Sequence, residues 1–283
     1  MFEMLVALPL LVKALILGIV EGLTEFLPIS STGHLILAGS LLGFEGDKSK
    51  LFDVAIQTGA MFAVIVYFRK RLARVVSGLF SDPVSQRFAI NILIAFTPAA
   101  ILGVLFASKI KQYLFYPVPV AIALVVGGII IILVERHNRA RPIGARLDDI
   151  DKLSPVDALK LGLAQAFALI PGTSRSGATI IGGMLFGLSR RMATEFSFYL
   201  AIPTLIGAGV YDMWKYRALV SMDDVPLFAV GTITSFFAAW ACTAWLIRYV
   251  ATRDFIPFGW YRIIFGLVVL LTAWFGVVDW AGT

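Results

Sequence analysis

Six long apolar stretches constrain this chain more than any other feature: residues 51–68, 88–107, 118–135, 195–214, 226–247 and 257–279. Crossing ~30 Å of hydrocarbon takes roughly 20 apolar residues, and a helix satisfies its own backbone hydrogen bonds on the way. A water-soluble core has no use for so much apolar surface. Of 283 residues, 59% are hydrophobic and 15% charged, against roughly 25% charged in an ordinary soluble domain. The chain therefore reads as an all-α integral membrane protein, one polytopic domain over residues 1–283 with the bilayer as its solvent.

Charge placement separates two readings of a net +6. A basic protein can bind nucleic acid, but here the positive residues fall in short clusters between apolar runs: Arg69-Lys70-Arg71 with Arg74, Arg136 to Arg146, Arg190-Arg191, and Arg248 with Arg253. Six crossings put all four clusters on one face, which the positive-inside rule assigns to the cytoplasm. The loops near 45–50, 108–117 and 215–225, and both termini, then lie outside. The partner is a bilayer, with no nucleic acid expected. Cys242 is the single cysteine, so neither an intrachain disulfide nor a cysteine metal pair is available. The first residues lack a basic start and a small-residue cleavage site and read as retained structure.

Two further apolar regions, about 5–44 and 156–188, are interrupted midway, by Pro28-Ile29-Ser30-Ser31-Thr32-Gly33 and by Pro171-Gly172-Thr173-Ser174-Arg175-Ser176-Gly177. Proline ends one helix, and serine with glycine suits the start of the next, so each region predicts a broken helix pair. Non-helical backbone at membrane depth survives only where protein buries it or water reaches it. Both interruptions are candidate cavity walls.

The two pairs also match each other. A gapless shift of 144 residues sets Gly18 on Gly162, Ser30 on Ser174, Gly33 on Gly177, Gly39 on Gly183 and Gly43 on Gly187. The shift predicts a duplication with halves of about 1–140 and 150–283, each one re-entrant helix pair plus three transmembrane helices. An odd number of crossings per half makes this an inverted-topology repeat, with two loops meeting near the midplane.

Chemistry-bearing residues concentrate at these interruptions. Glu21 and Glu25 are four apart on one helical face, followed by Ser30, Ser31, Thr32 and His34. Ionisable groups inside an apolar segment cost about 2.5–3.5 kcal/mol each on insertion scales, so several together need a partner or a purpose. In the second pair, Arg175 stands between Ser174 and Ser176, with Gly172, Gly177 and Thr179 close by. A planar guanidinium beside unpaired N–H groups at a helix start suits a phosphate. Alternatively, Arg175 pairs with Glu21 or Glu25 and holds the halves together. Gln57 and Gln165 are polar groups amid apolar ones, set beside the site or between helices; Gln57 is counted among the substrate-contacting residues. Glu195 and Asp212 read as interfacial, Arg190-Arg191 as a topology anchor, His137 as solvated, and Trp214, Tyr216, Trp260 and Tyr261 as an interfacial aromatic belt.

Glu21-Gly22-Leu23-Thr24-Glu25-Phe26-Leu27-Pro28-Ile29-Ser30-Ser31-Thr32-Gly33-His34 and Pro171-Gly172-Thr173-Ser174-Arg175-Ser176-Gly177-Ala178-Thr179 resemble the two signature motifs of the bacterial undecaprenyl-diphosphate phosphatases, the bacitracin-resistance family. The resemblance extends through Phe52 to Gly59, Glu195 to Phe198 and Phe255 to Phe258. It implies a polyprenyl diphosphate substrate, a monophosphate carrier-lipid product used in cell-wall synthesis, a bacterial inner membrane, and a site opening to the outer, periplasmic face. The family's functional positions fall on Glu21, Glu25, Ser30, Ser31, Thr32, His34, Ser174, Arg175 and Thr179.

The mechanism expected is phosphoryl transfer. Arg175 and the N–H groups of Ser174 to Gly177 clamp the diphosphate, helped by the Ser176 and Thr179 hydroxyls. Ser31 is the preferred nucleophile, with His34 or Glu25 as base; attack by His34 itself or by water are the alternatives. Glu21 and Glu25 could instead hold Mg²⁺ or Ca²⁺. A lipid transporter or flippase is the rival class, suggested by the inverted repeat, although it needs no nucleophile beside a base. A homodimer is left open.

Overall fold

In a computed structural model, residues 2–139, 145–216 and 221–278 are described; parts of the basic cluster at 136–146 and of the loop near 215–225 fall outside them. The described residues are helical, with a single isolated bridge between Leu147 and Leu188. The helices are α1 (Phe2–Val6), α2 (Leu10–Thr24), α3 (Ser31–Leu41), α4 (Asp47–Tyr67), α5 (Arg69–Gly78) and α6 (Pro83–Leu114), then α7 (Pro117–Arg139), α8 (Pro155–Ala166), α9 (Arg175–Leu185), α10 (Arg190–Tyr216), α11 (Val225–Val250) and α12 (Ile256–Trp274).

Six helices, α4, α6, α7, α10, α11 and α12, are long and apolar enough to cross a membrane, and each coincides with one of the six apolar stretches. They fit a multi-pass membrane protein, and large apolar side chains such as Leu93, Val104, Ile122 and Trp274 lie on the outer surface. The helix starts follow local chemistry. Asp82 accepts from the Val84 and Ser85 amides ahead of Pro83, and Ser154 with Asp157 forms a reciprocal capping box before Pro155.

The interrupted pairs are built differently. At 1.5 Å per residue, helices of 15 and 11 residues (α2, α3) and of 12 and 11 (α8, α9) are each shorter than ~30 Å of hydrocarbon. α2 packs on α11 and α8 on α6. Glycine permits both contacts: a Cβ on Gly18 would lie 2.6 Å from the Gly231 carbonyl oxygen, and one on Gly162 2.5 Å from that of Ala95. Small residues let helix backbones approach where lipid removes the hydrophobic drive to associate. This explains one of the glycine matches in the 144-residue shift.

The shift also maps the backbone. α3 and α9 occupy corresponding residues throughout. Each follows a serine in the left-handed region, Ser30 at φ 72° and Ser174 at φ 71°, and each ends before a glycine at positive φ, Gly43 or Gly187. Behind those glycines the Phe44 amide bonds the Gly39 carbonyl at 2.8 Å and the Leu188 amide bonds that of Gly183 at 3.0 Å. This is the arrangement that satisfies the orphan carbonyls at a helix C-terminus.

Arg190, expected as a topology anchor, has a structural partner. It grips the fully buried Glu135 with Nε and Nη2, at 2.9 and 2.5 Å, and Glu135 also accepts from the Phe255 amide at 2.9 Å. Arg190 thereby ties α10 to α7 and to the start of α12. Arg191 pairs with Glu195 one turn on, and His137 is exposed as expected.

Candidate active site

The first interruption turns at Ser30, and the hydroxyl of Ser31, the first residue of α3, donates to Glu25 Oε2 at 2.6 Å. Both residues are buried, so the bond sits in a medium that strengthens it. The other Glu25 oxygen accepts from Arg175 Nη2 at 3.3 Å across the two loops, and Arg175 Nη1 donates to the Ser197 carbonyl at 3.0 Å. Arg175 also lies over the Phe26 ring, and Phe26 meets Phe198 edge-on at 5.3 Å. The nucleophile candidate, the carboxylate and the guanidinium thus form one chain of contacts, although 150 residues separate Glu25 from Arg175.

The loops are cross-linked further. Ser176 donates to the Leu27 carbonyl at 2.7 Å and Ser174 to the same oxygen at 3.5 Å, while Ser174 Oγ accepts from the Gly177 amide at 3.1 Å as helix cap. Thr179 donates to the Ser197 hydroxyl at 2.6 Å. In this arrangement Ser174, Ser176 and Thr179 hold the second loop. Gly172, at φ +89°, lies so close to α7 that a Cβ would meet the Val120 carbonyl oxygen at 2.5 Å.

A cavity of about 400 Å³ adjoins the cluster. Glu21, Ser31, Thr32 and Gln57 line it, as do Lys50 and Asp53. Gln57, Asp53 and Lys50 recur at helical spacing along α4, which gives that helix a polar stripe facing Glu21. Both Glu21 carboxylate oxygens are buried, with no hydrogen-bond partner among the described residues. Arg175, Glu25, His34 and the serines of the second loop stand outside the lining; Ser31 joins cavity and cluster. Asp212, read as interfacial, also lines this space.

His34 faces elsewhere. Its Nδ1 lies 2.7 Å from the Ser30 carbonyl, which can only accept, so Nδ1 carries a proton. Its Nε2 meets the Tyr261 hydroxyl at 2.6 Å, and its ring stacks on Phe265 with centroids 4.0 Å apart. Tyr261, expected in an interfacial belt, also orients His34. Trp260 on the same helix is exposed; the side chain of Tyr216 lies outside the described residues.

Sequence reasoning passed over Arg262 entirely. Its side chain is fully buried and all its N–H groups donate to backbone carbonyls of both loops and α7. The usable signal was an arginine in the middle of an apolar stretch, the sign by which Glu21 and Glu25 were noticed.

Fold and site together define a protein whose described residues are helical and include six candidate membrane spans, and whose two interrupted helix pairs bring a carboxylate, a hydroxyl and a guanidinium into contact. The family model described as Bacitracin resistance protein BacA matches residues 14–268, and the chain belongs to that family. It is similar to the undecaprenyl-diphosphatase of Janthinobacterium sp. (strain Marseille), with 62% identity over 272 residues, 96% of this chain and 98% of the relative. The undecaprenyl-diphosphatases of Polaromonas naphthalenivorans (strain CJ2) and Methylibium petroleiphilum (strain ATCC BAA-1232 / LMG 22953 / PM1) are each 61% identical, over 272 and 279 residues, and each covers 96% of this chain and 98% of the relative.

Proposed function

We propose that this protein is an undecaprenyl-diphosphatase of the bacterial inner membrane, which removes the terminal phosphate of undecaprenyl diphosphate and returns the monophosphate carrier lipid to cell-wall synthesis. Bacitracin resistance follows from this activity. Family membership and the named relatives support the reaction. The observation that carries it at the site is the 2.6 Å bond from Ser31 to Glu25 beside Arg175. A transporter needs groups that bind phosphate, but it does not need a hydroxyl held on a carboxylate.

In the mechanism proposed, Ser31 Oγ attacks the terminal phosphorus, and its proton passes to Glu25. The bond from that phosphorus to the bridging oxygen breaks, and undecaprenyl phosphate leaves with the oxygen. Water then hydrolyses the phosphoserine and releases inorganic phosphate. Arg175 moves its guanidinium from Glu25 to the phosphate oxygens as substrate arrives, exchanging one anion for another. The Arg175 and Ser176 N–H groups opening α9 complete the clamp, and the Ser174, Ser176 and Thr179 hydroxyls, engaged within the loops, hold it in place. Thr32 and Gln57 contact the diphosphate from the cavity side, with Ser30 at the turn into α3 beside them. His34, bound to Ser30 and Tyr261, fixes the first turn of α3 rather than acting as the base.

A divalent cation fits part of this site. Glu21, whose oxygens are unpartnered, would hold Mg²⁺ or Ca²⁺; Glu25, with Ser31 on one oxygen and Arg175 on the other, would join it as a ligand only in place of its role as base. No group of three or more His, Cys, Asp or Glu able to hold a metal occurs among the described residues, so phosphate oxygens and water would complete the shell. The ion would neutralise charge building on the phosphate.

We further read the chain as a single domain of two inverted halves, with α2–α3 and α8–α9 as re-entrant pairs. The corresponding bounds of α3 and α9 support this, as does the exchange of packing partners, α2 on α11 and α8 on α6. Phe44, Glu45, Ser49, Phe115 and Asp212 line the cavity and belong to or adjoin the loops assigned to the outside, which supports a periplasmic opening.

The test is phosphate release from undecaprenyl diphosphate by purified protein, with and without EDTA. One phosphate per monophosphate formed is expected, lost in EDTA and restored by Mg²⁺ or Ca²⁺. Glu21→Gln is expected to lose most of that activity and its response to added metal. Full activity in EDTA would remove the cation from the scheme. Absence of hydrolysis, with lipid crossing a proteoliposome membrane, would replace the enzyme by the transporter.

A further inference from the structure

Two non-glycine residues of the described chain have positive φ, Ser30 and Ser174, and both sit where an interruption passes into a helix. Such residues persist only where their surroundings over-determine them. The groups that hold them converge on one side chain. Arg262 Nη1 donates to the carbonyl of Pro28 at 3.1 Å and to that of Thr173 at 2.8 Å. Its Nη2 donates to the carbonyls of Gly172 at 2.9 Å and Ala123 at 3.0 Å, and Nε to that of Leu124 at 3.3 Å.

One guanidinium, 1% exposed, thus grips the first loop two residues before Ser30, the second loop immediately before Ser174, and α7 as a fixed support. The fan of five N–H donors suits carbonyls arriving from three elements; no other side chain offers it. The surroundings are shaped for it. A Cβ on Gly127 of α7 would stand 2.3 Å from Nη2 and 2.8 Å from Cζ, and one on Gly177 3.1 Å from Nη1. Tyr261 and Phe265, which hold His34, lie on the same stretch of α12.

We propose that Arg262 is a positioning residue for the reaction: it locks the two interrupted loops in one register, so that Ser31 with Glu25 from the first and Arg175 from the second address the same phosphate. Arg262 does not line the cavity and acts through the backbone of both loops. The inference rests on the function proposed above, and part of its test needs no substrate.

Two variants probe it. Arg262→Lys keeps the charge but not the fan. Gly127→Ala leaves Arg262 in place and forces its guanidinium off α7, at a helical position where alanine is favoured over glycine. Backbone amide exchange is read on both proteins without substrate, alongside thermal stability. Exchange is expected to rise at 28–33 and 172–178 together, with α4, α6 and α10 as in the wild type. On undecaprenyl diphosphate, kcat is expected to fall at least tenfold with KM within about twofold, because misplaced catalytic groups weaken only the transition state.

Combining Gly127→Ala with Arg175→Lys gives the sharpest readout. If register acts by aiming Arg175, the double variant loses little more than Arg175→Lys alone. Independent, multiplying losses would overturn the proposal, as would unchanged exchange in either loop, or exchange rising evenly through the molecule with a lowered melting temperature. If Arg262→Lys does not fold, Gly127→Ala decides alone. Loop exchange that responds as expected in a wild-type protein with no phosphatase activity would keep the clamp and discard the function.

Discussion

Ser31→Ala is expected to lower kcat by at least about a thousandfold while the protein still inserts and folds. Removal of a nucleophile or of its paired base typically costs 10²–10⁴ or more. The Ser31 hydroxyl reaches both the cavity and Glu25, and no neighbouring group described here does. Its structural contribution is far smaller: a hydrogen bond to a charged acceptor contributes about 1.5–3 kcal/mol, and Glu25 keeps Arg175 as a partner. His34→Ala is the informative contrast. If His34 only orients α3, its loss should cost less than that of Ser31, and Tyr261→Phe should mimic part of it. Turnover of purified variants, scaled to the folded fraction, checks both. Near-normal turnover of Ser31→Ala would transfer the attack to water or to His34.

Arg175→Lys is expected to lose at least about a hundredfold in kcat/KM. A missing contact to developing charge costs ~2.7–4 kcal/mol, and each tenfold in rate is about 1.4 kcal/mol. The guanidinium spans Glu25 and the Ser197 carbonyl from a side chain 9% exposed. Lysine supplies one nitrogen where two are used, so neither this contact nor a two-oxygen grip on phosphate survives. A purely structural Arg175 predicts a different outcome. Lysine would then leave turnover per folded molecule nearly normal, and the damage would appear as lower yield and melting temperature, because Glu25 loses part of its compensation. Kinetics and thermal unfolding on the same preparation separate the two.

Much of the architecture was legible in the linear chain because a bilayer imposes one-dimensional rules. Length and apolarity alone place the six candidate spans. Proline, serine and glycine mark the two interruptions because they act through local backbone geometry. The 144-residue match pointed to a duplication, and the backbone adds a likeness that the sequence did not announce, positive φ at both Ser30 and Ser174. Glu21, Glu25 and Arg175 stood out because charge in an apolar stretch is costly.

What the linear chain did not decide was which of these groups meet. Glu25 pairs with Ser31 and Arg175, whereas Glu21, one turn away, points its oxygens toward no partner. His34, only three residues from Ser31, turns instead to Tyr261, 227 residues away. Asp53 and Lys50 join the cavity through α4, outside the two interruptions, and Arg262 reaches both loops from the far end of the chain. Such contacts depend on how helices rotate and cross, which glycine contacts between distant helices set. The residue types and the broken helices were therefore determined locally by backbone and bilayer chemistry. The meeting of Glu25, Ser31, Arg175 and Arg262 was decided only by the packing of the folded chain, because each of these residues lies on a different element.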